Sequence, residues 1–156
     1  SACVRFIGGR FDGSAPPKKP DYNRNITSRT IIMPESTRDR GTRGEMIAVR
    51  HLRQNGYAIL IKNFRDTISR GEIDIIARYG EEIVFVEVKS GRGKQFGPPE
   101  TWVHTRKQQR IARAAQRYLQ DHQLFDSPCR FDVIGIMLDQ TPPHITHIEQ
   151  AFWSNY

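Results

Sequence analysis

Residues 83–89, IVFVEVK, decide how this chain folds. Their opening apolar run predicts a buried strand, and on a strand every second side chain points to the same face. Glu87 and Lys89 therefore share a face with Ile83 and Phe85. A carboxylate and an ammonium group at the end of a buried face are costly unless they have partners. A metal ion with an activated water would supply such a partner.

A second stretch, residues 71–74 with the sequence GEID, opens another apolar strand just upstream. The intervening residues 79–81, YGE, predict a tight turn, so residues 72–77 and 83–88 are expected to form an antiparallel hairpin. Asp74 and Glu87 would then lie on neighbouring strands, each near a strand end.

The rest of the chain surrounds this hairpin with helices and strands. Apolar periodicity predicts helices over residues 42–54 and 105–120, with residues 55–56, NG, ending the first. Further strands are predicted at residues 57–62, 131–138 and 145–152. These elements follow the order αβββαβ, and residues 145–152 add a further strand. This order predicts an α/β domain over residues 42–156 with a central mixed sheet flanked by helices. Residues 1–41 are rich in proline, glycine and basic residues, and we predict a largely irregular basic arm.

The composition favours a nucleic-acid partner. The 156 residues suit a domain with one hydrophobic core. The net charge of +7 indicates a polyanionic binding partner. No amphipathic membrane-type helix and no apolar run of roughly 20 residues appears, so we expect no membrane partner. The two cysteines, Cys3 and Cys129, have neither metal-ligand nor disulfide spacing, which predicts free thiols in a cytoplasmic protein.

The acidic residues predict a Mg²⁺ or Mn²⁺ site. One or two carboxylates plus a substrate phosphate suffice for Mg²⁺, so Asp74, Glu87 and the carbonyl of Val88 are candidate ligands. Glu45 lies on the apolar face of the first helix, where it would hold a metal-bound water; alternatively it is a first-turn glutamate favoured by the helix dipole. Lys89 would orient the attacking water. A Glu-X-Lys at a strand end is also common as a solvated ion pair.

This pattern resembles the PD-(D/E)XK nuclease superfamily, in which a helix glutamate, a strand aspartate and a Glu-X-Lys strand bind metal. More closely, residues 42–152 resemble the YraN-like family of small bacterial proteins, which are grouped with endonucleases. The matching stretches are residues 44–45 (GE), 56–57 (GY), 71–74 (GEID), 84–89 (VFVEVK), 96–97 (FG), 107 (K), 130–133 (RFDV), 147–149 (HIE) and 151–152 (AF).

The resemblance implies a restriction-endonuclease-like fold and kinship with Holliday-junction resolvases. It implies that Asp74 and Glu87 ligate the metal directly, that Glu45 is an outer ligand, and that Lys89 is the catalytic lysine. A resolvase-like activity would favour a homodimer, because two symmetric cuts need two sites.

Basic residues outside this constellation are candidate contacts to nucleic acid. Lys107 lies at the angle of the buried face of its helix, so it either reaches the active-site phosphate or extends outward along the surface. Four arginines form a separate stripe on the same helix, which is ordinarily a solvated face but would also follow a phosphate backbone: Arg106, Arg110, Arg113 and Arg117. Arg92, in the glycine-rich loop after the third strand, is expected beside the cleft.

Three functions remain open at this point. The leading interpretation is a metal-dependent nuclease that hydrolyses phosphodiester bonds of DNA, which is favoured over RNA, with structured or branched DNA as substrate. The alternative is a non-catalytic nucleic-acid-binding module on a nuclease scaffold, since a fold alone does not establish activity. A protein-interaction subunit, which would show no salt-dependent DNA binding, is the third.

Asp132, beside Arg130, is interpreted as half of a structural pair rather than a further ligand.

Overall fold

The structure, a computed structural model, describes residues 36–93, 97 and 101–152, all within one compact unit. In these ranges the chain runs in the order α1 Thr37–Gln54, β1 Ala58–Arg65, β2 Glu72–Tyr79, β3 Glu82–Gly91, α2 Thr105–Asp121, β4 Cys129–Met137 and β5 His144–Phe152. Residues 1–35 lie outside the described residues, so the basic arm remains a prediction.

The five strands form one mixed sheet in the order β1-β2-β3-β4-β5. Every neighbouring pair is antiparallel except β3 and β4, which are parallel. A parallel pair needs a long crossover, and α2 lies within it. The predicted fold class is confirmed, including the hairpin turn, where Tyr79 pairs with Glu82 and Gly80 has φ +59°.

The two faces of the sheet bury two separate cores. Ile83 and Phe85 pack against α2, whereas the alternate residues Val84 and Val86 pack in the core that contains α1. The period-2 alternation of β3 therefore assigns its side chains to opposite helices. Continuing this alternation places Glu87 on the α2 side of the sheet.

Helix α1 begins earlier than the sequence predicted. The predicted start at residue 42 is wrong, because residues 37–41 form the first turn and Ser36 caps it by accepting a hydrogen bond from the Asp39 N–H at 3.1 Å. This turn carries no apolar periodicity, so only its capping residues signal it. Glu45 consequently lies beyond the first turn, and its interpretation as a first-turn glutamate is wrong.

Candidate active site

The candidate site lies where β2 and β3 separate. Their ladder runs from Tyr79 paired with Glu82 as far as Ile75 paired with Val86. Beyond this pair, the Asp74 carboxylate accepts a hydrogen bond from the Val88 N–H at 2.7 Å. A side chain thus takes the position of a main-chain partner, which fixes the Asp74 carboxylate against the end of β3.

The side chains of β2 change faces at this point. Ile73 packs in the α2 core, whereas Ile75, two residues later, packs in the α1 core. Regular alternation would put both on the same face, so the pattern breaks at Asp74. The break is what directs the Asp74 carboxylate toward the neighbouring strand.

Glu87 is a buried carboxylate that is only partly satisfied. The residue is 3% exposed, and its Oε1 forms an ion pair with the Lys89 ammonium group at 3.0 Å and accepts a hydrogen bond from that of Lys107. Its Oε2 is buried and has no hydrogen-bond partner among the described residues. A buried carboxylate oxygen without a partner is costly, and a bound cation at this atom would lower that cost.

Glu87 influences the ionisation of Asp74. Burial, and next the charge of Glu87, raise the pKa of Asp74 to about 7, against the opposing effects of the Val88 N–H and Lys107. Burial acts to lower the pKa of Lys107, but the charge of Glu87 and the hydrogen bond to it raise the pKa above its ordinary value. Strongly shifted carboxylates are characteristic of functional sites, although structural ion pairs produce them too.

Glycine allows each helix to approach the site closely. A Cβ atom at Gly44 would lie 2.5 Å from the Ser90 Cβ, and the Ser90 hydroxyl donates a 3.0 Å hydrogen bond to the Arg40 carbonyl. The start of α1 is thereby held against the end of β3. A Cβ atom at Gly71 would collide with the Arg110 carbonyl, so this glycine likewise allows α2 to pack beside β2.

Glu45 is near the site but does not complete a carboxylate triad. It is half-buried, and its charge contributes to the raised pKa of Asp74. Within the described residues, no group of three histidine, cysteine, aspartate or glutamate side chains is close enough to hold a metal ion. The structure therefore brings Asp74 and Glu87 together, while a role for Glu45 through a bound water remains a prediction.

A cavity of about 460 Å³ opens beside these residues on the α2 side. Asp74 and Lys107 line it, so the structure places Lys107 in the site rather than directing it away along the surface. The arginines of the predicted stripe on α2 have different surroundings. Arg106 and Arg110 line the cavity, whereas Arg117 pairs with Asp121 at 3.1 Å. Arg113 and Arg92 are exposed and are not among the lining residues.

Four residues that line this cavity were given no site role from the sequence: Arg70, Glu72, His104 and Ile111. Arg70 lies on its wall in a left-handed conformation, with φ +53°, just before the GEID stretch. His104 is the N-cap residue of α2 and also lines the cavity. A non-glycine residue at positive φ is uncommon and often marks a functional site, but only the backbone reveals it. Phe96, in the matching stretch at residues 96–97, lies outside the described residues.

Two other residues, Asp132 and Trp102, have structural roles. Asp132 is fully buried and accepts hydrogen bonds from Arg130, His147 and the Gln150 N–H, at 3.0, 2.9 and 3.1 Å. This confirms its interpretation as part of a structural pair. Trp102 donates a 2.8 Å hydrogen bond to the Gly97 carbonyl, and its ring lies over Gly135, where any Cβ atom would collide with it.

A mixed sheet with one helix on each face and two carboxylates at the separation of β2 and β3 defines an α/β protein with a restriction-endonuclease-like core. This chain belongs to the uncharacterised protein family UPF0102, whose family model matches residues 44–136. The resemblance predicted from the sequence is confirmed. Neither described helix combines the length and apolar character needed to cross a bilayer.

Relatives of this chain carry the same family name. A UPF0102 protein of Geotalea uraniireducens is 48% identical over 113 residues, which cover 72% of this chain and 87% of the relative. One from Pelobacter propionicus is 44% identical over 86% of this chain and 96% of its own length, and one from Pseudomonas aeruginosa is 40% identical over 76% and 95%. The Pelobacter alignment is longer than residues 42–156, so it reaches into the preceding segment.

Proposed function

We propose that this protein is a Mg²⁺- or Mn²⁺-dependent nuclease that hydrolyses phosphodiester bonds of DNA, with structured or branched DNA as its substrate. The family description states no activity, so the proposal rests on the site. The observation that carries it is that Glu87, beside Asp74 with its pKa of about 7, has a buried Oε2 atom without a hydrogen-bond partner among the described residues. An arrangement that is costly for folding and contributes no packing is expected where binding or catalysis requires it.

The donor set suits a hard divalent cation. Asp74 and Glu87 offer carboxylate oxygens, and Mg²⁺ usually takes only one or two of these while keeping several waters. The Val88 N–H points toward Asp74, and in a strand the carbonyl of a residue points to the same side as its N–H. The Val88 carbonyl is therefore directed to the side of β3 on which Asp74 lies. When bound, the cation would lower the pKa of a coordinated water and offset charge developing on the phosphate.

The two lysines have separate tasks in this proposal. Lys89 is about one-third exposed and lies 3.0 Å from Glu87, so its ammonium group can orient the attacking water while remaining next to the carboxylates. Lys107 lines the cavity with Asp74 and would hold the phosphate oxygens from the α2 side. Arg70, Arg106 and Arg110 would bind flanking phosphates, which provides affinity without sequence recognition.

The proposal is tested by cleavage of labelled DNA with and without divalent metal. Single-stranded, duplex, flap and four-way substrates should be compared with Mn²⁺ and Mg²⁺. We expect metal-dependent cutting, which Asp74→Ala or Glu87→Ala abolishes while DNA binding persists. Asp126→Asn, a neutralised exposed acid outside the site, is the matched control. Undiminished cutting by both site variants would refute the assignment. Two symmetric cuts in a branched substrate need two sites, so we propose a homodimer, to be measured by light scattering.

One observation favours the alternative of a non-catalytic nucleic-acid-binding module. The Oε1 atom of Glu87 is already paired with two lysine ammonium groups, and no third acidic or histidine side chain within residues 36–93 and 101–152 joins Asp74 and Glu87. Calorimetry with Mn²⁺ separates the two functions. Tight, salt-sensitive DNA binding without any heat of metal binding would establish the alternative.

A further inference from the structure

A second cavity, of about 530 Å³, lies between α1 and β1. It is distinct from the α2-side cavity that contains Asp74, and the two share no lining residue. Three cationic side chains line it, Arg50 and Arg53 from α1 and Lys62 from β1. Because they converge from a helix and a strand, they surround a common space instead of forming one solvated helix face.

These cations are left without acidic partners. Arg50, Arg53 and Lys62 are exposed and make no ion pair or side-chain hydrogen bond within the described parts of the chain. Other arginines of this protein are paired, such as Arg65 with Glu72 at 3.0 Å. Among the described residues that line the cavity, Glu45 is the one carboxylate, so positive charge is in excess there. Clustered, uncompensated cations around a concavity favour an anionic occupant.

The rest of the lining suits a nucleobase. Met46 is 63% exposed, and Val49 lies beside it on the same helix wall, which leaves apolar surface facing the cavity. Asn63 adds an amide, which can both donate to and accept from a base edge. A phosphate group at the cations and a base against Met46 would satisfy both kinds of surface. A small concave pocket of this volume holds a single-stranded segment but cannot admit a duplex.

The cavity adjoins the candidate active site through β1. Lys62 pairs with Ile75 and Phe64 pairs with Ile73, so Asn63 lies opposite Asp74 on the neighbouring strand. Adjacent strands are about 5 Å apart. Asn63 also has a left-handed backbone, with φ +53°, at the point where the faces of β2 change. A segment held in this cavity would therefore lie one strand away from Asp74, whose own cavity opens on the α2 side of the sheet.

We infer that the α1–β1 cavity binds a single-stranded segment of nucleic acid adjacent to the phosphodiester that is cut. This assignment rests on the proposed nuclease function for the identity of the substrate. It gives a physical reason for the preference for branched or structured DNA, because a cleaved duplex arm must offer an unpaired segment to fill the cavity.

The inference is tested by binding in EDTA, where no metal-dependent cutting takes place. Fluorescence anisotropy of a labelled single-stranded DNA is measured over a salt series for the wild type, the double variant Arg50→Gln/Arg53→Gln and Lys62→Gln. We expect the slope of log affinity against log salt to shrink by roughly 0.7 for each phosphate contact removed. Arg38→Gln, on the same helix but away from the cavity, is the matched control and should leave the slope unchanged.

The outcomes separate this inference from the proposed function. Equal slopes for the double variant, Lys62→Gln and the Arg38→Gln control would overturn it, as would an equal loss for a duplex of the same length. A protein that never cuts DNA but loses single-strand binding in the cavity variants would refute the nuclease and leave this cavity assigned. A protein that cuts DNA but binds single strands equally well with and without these cationic residues would support the nuclease and refute the cavity assignment. Unchanged melting temperatures confirm that the variants are folded.

Discussion

Replacing Asp74 with asparagine should stabilise the metal-free protein at pH 8. Burial, followed by the charge of Glu87, raises the pKa of Asp74 from its usual 3.8 to about 7. An acid with a raised folded-state pKa contributes stability that is present below pH 4 and lost as the pH rises through 7. The free energy of unfolding is thereby lowered by at most about 4 kcal/mol at pH 8. About 2.5 kcal/mol of this decrease takes place between pH 5 and pH 8. Asparagine keeps an oxygen for the Val88 N–H without the charge.

Urea unfolding of the wild type and Asp74→Asn, each in EDTA at pH 5 and pH 8, measures this effect. The stability of the variant relative to the wild type should be greater at pH 8 by up to about 2.5 kcal/mol, a large part of the 5–15 kcal/mol typical of a domain. The exposed control Asp126→Asn should show no such pH-dependent gain. Mn²⁺ should then stabilise the wild type but not Asp74→Asn, because a ligand stabilises only the form that binds it.

An Asp74→Asn variant that gains no stability relative to the wild type between pH 5 and pH 8 would contradict this prediction. Such a result would mean that the Asp74 carboxyl ionises in the folded state much as it does in the unfolded chain. The claim that the fold carries an electrostatic cost at this position, offset only by a ligand, would then have no basis.

Two further predictions concern the packing and charge around the site. Gly44→Ala should cost about 1–3 kcal/mol in urea unfolding, since its Cβ would lie 2.5 Å from that of Ser90, and Ser90→Gly in the same chain should restore part of the loss; full stability of the single variant would contradict the close approach. Lys107→Gln should raise the pKa of Asp74 further, because Lys107 lowers it. Since metal binding needs ionised carboxylates, the pH midpoint of Mn²⁺ binding in calorimetry should move upward, and an unmoved midpoint would exclude this coupling.

Local periodicity was sufficient for most of the fold. Three signals depend only on residues that are close in the sequence: the apolar run before Glu87, the turn at Gly80 and the helical pattern of residues 105–120. Each predicted helix and strand is present in the structure. The start of α1 was missed because its first turn, residues 37–41, packs no apolar face and is marked only by the Ser36 cap. Periodicity registers burial, so an exposed turn leaves no such trace.

The residues of the candidate site likewise include some that local sequence predicts and some that only the packing of the elements brings in. Asp74 and Glu87 were predicted as neighbours because a hairpin brings them together with little freedom of register. The contact between Lys107 and Glu87 spans 20 residues and depends on how α2 lies against the sheet, so the helical angle alone left two alternatives for Lys107. Arg70 entered the site through a backbone conformation that no residue pattern specifies.

By itself, the sequence determined which residues form strands and helices, which of their faces are buried, and that two acids and a lysine belong to one hairpin. Only the tertiary structure decided that the alternation of β2 breaks at Asp74 and that Lys107 and not Glu45 contacts Glu87. It also decided that one oxygen of Glu87 is buried without a hydrogen-bond partner in the part of the chain that the structure describes. The physical reason is that burial patterns and turns arise from short-range chain geometry, whereas charge balance and cavities depend on distances between elements that meet only after packing.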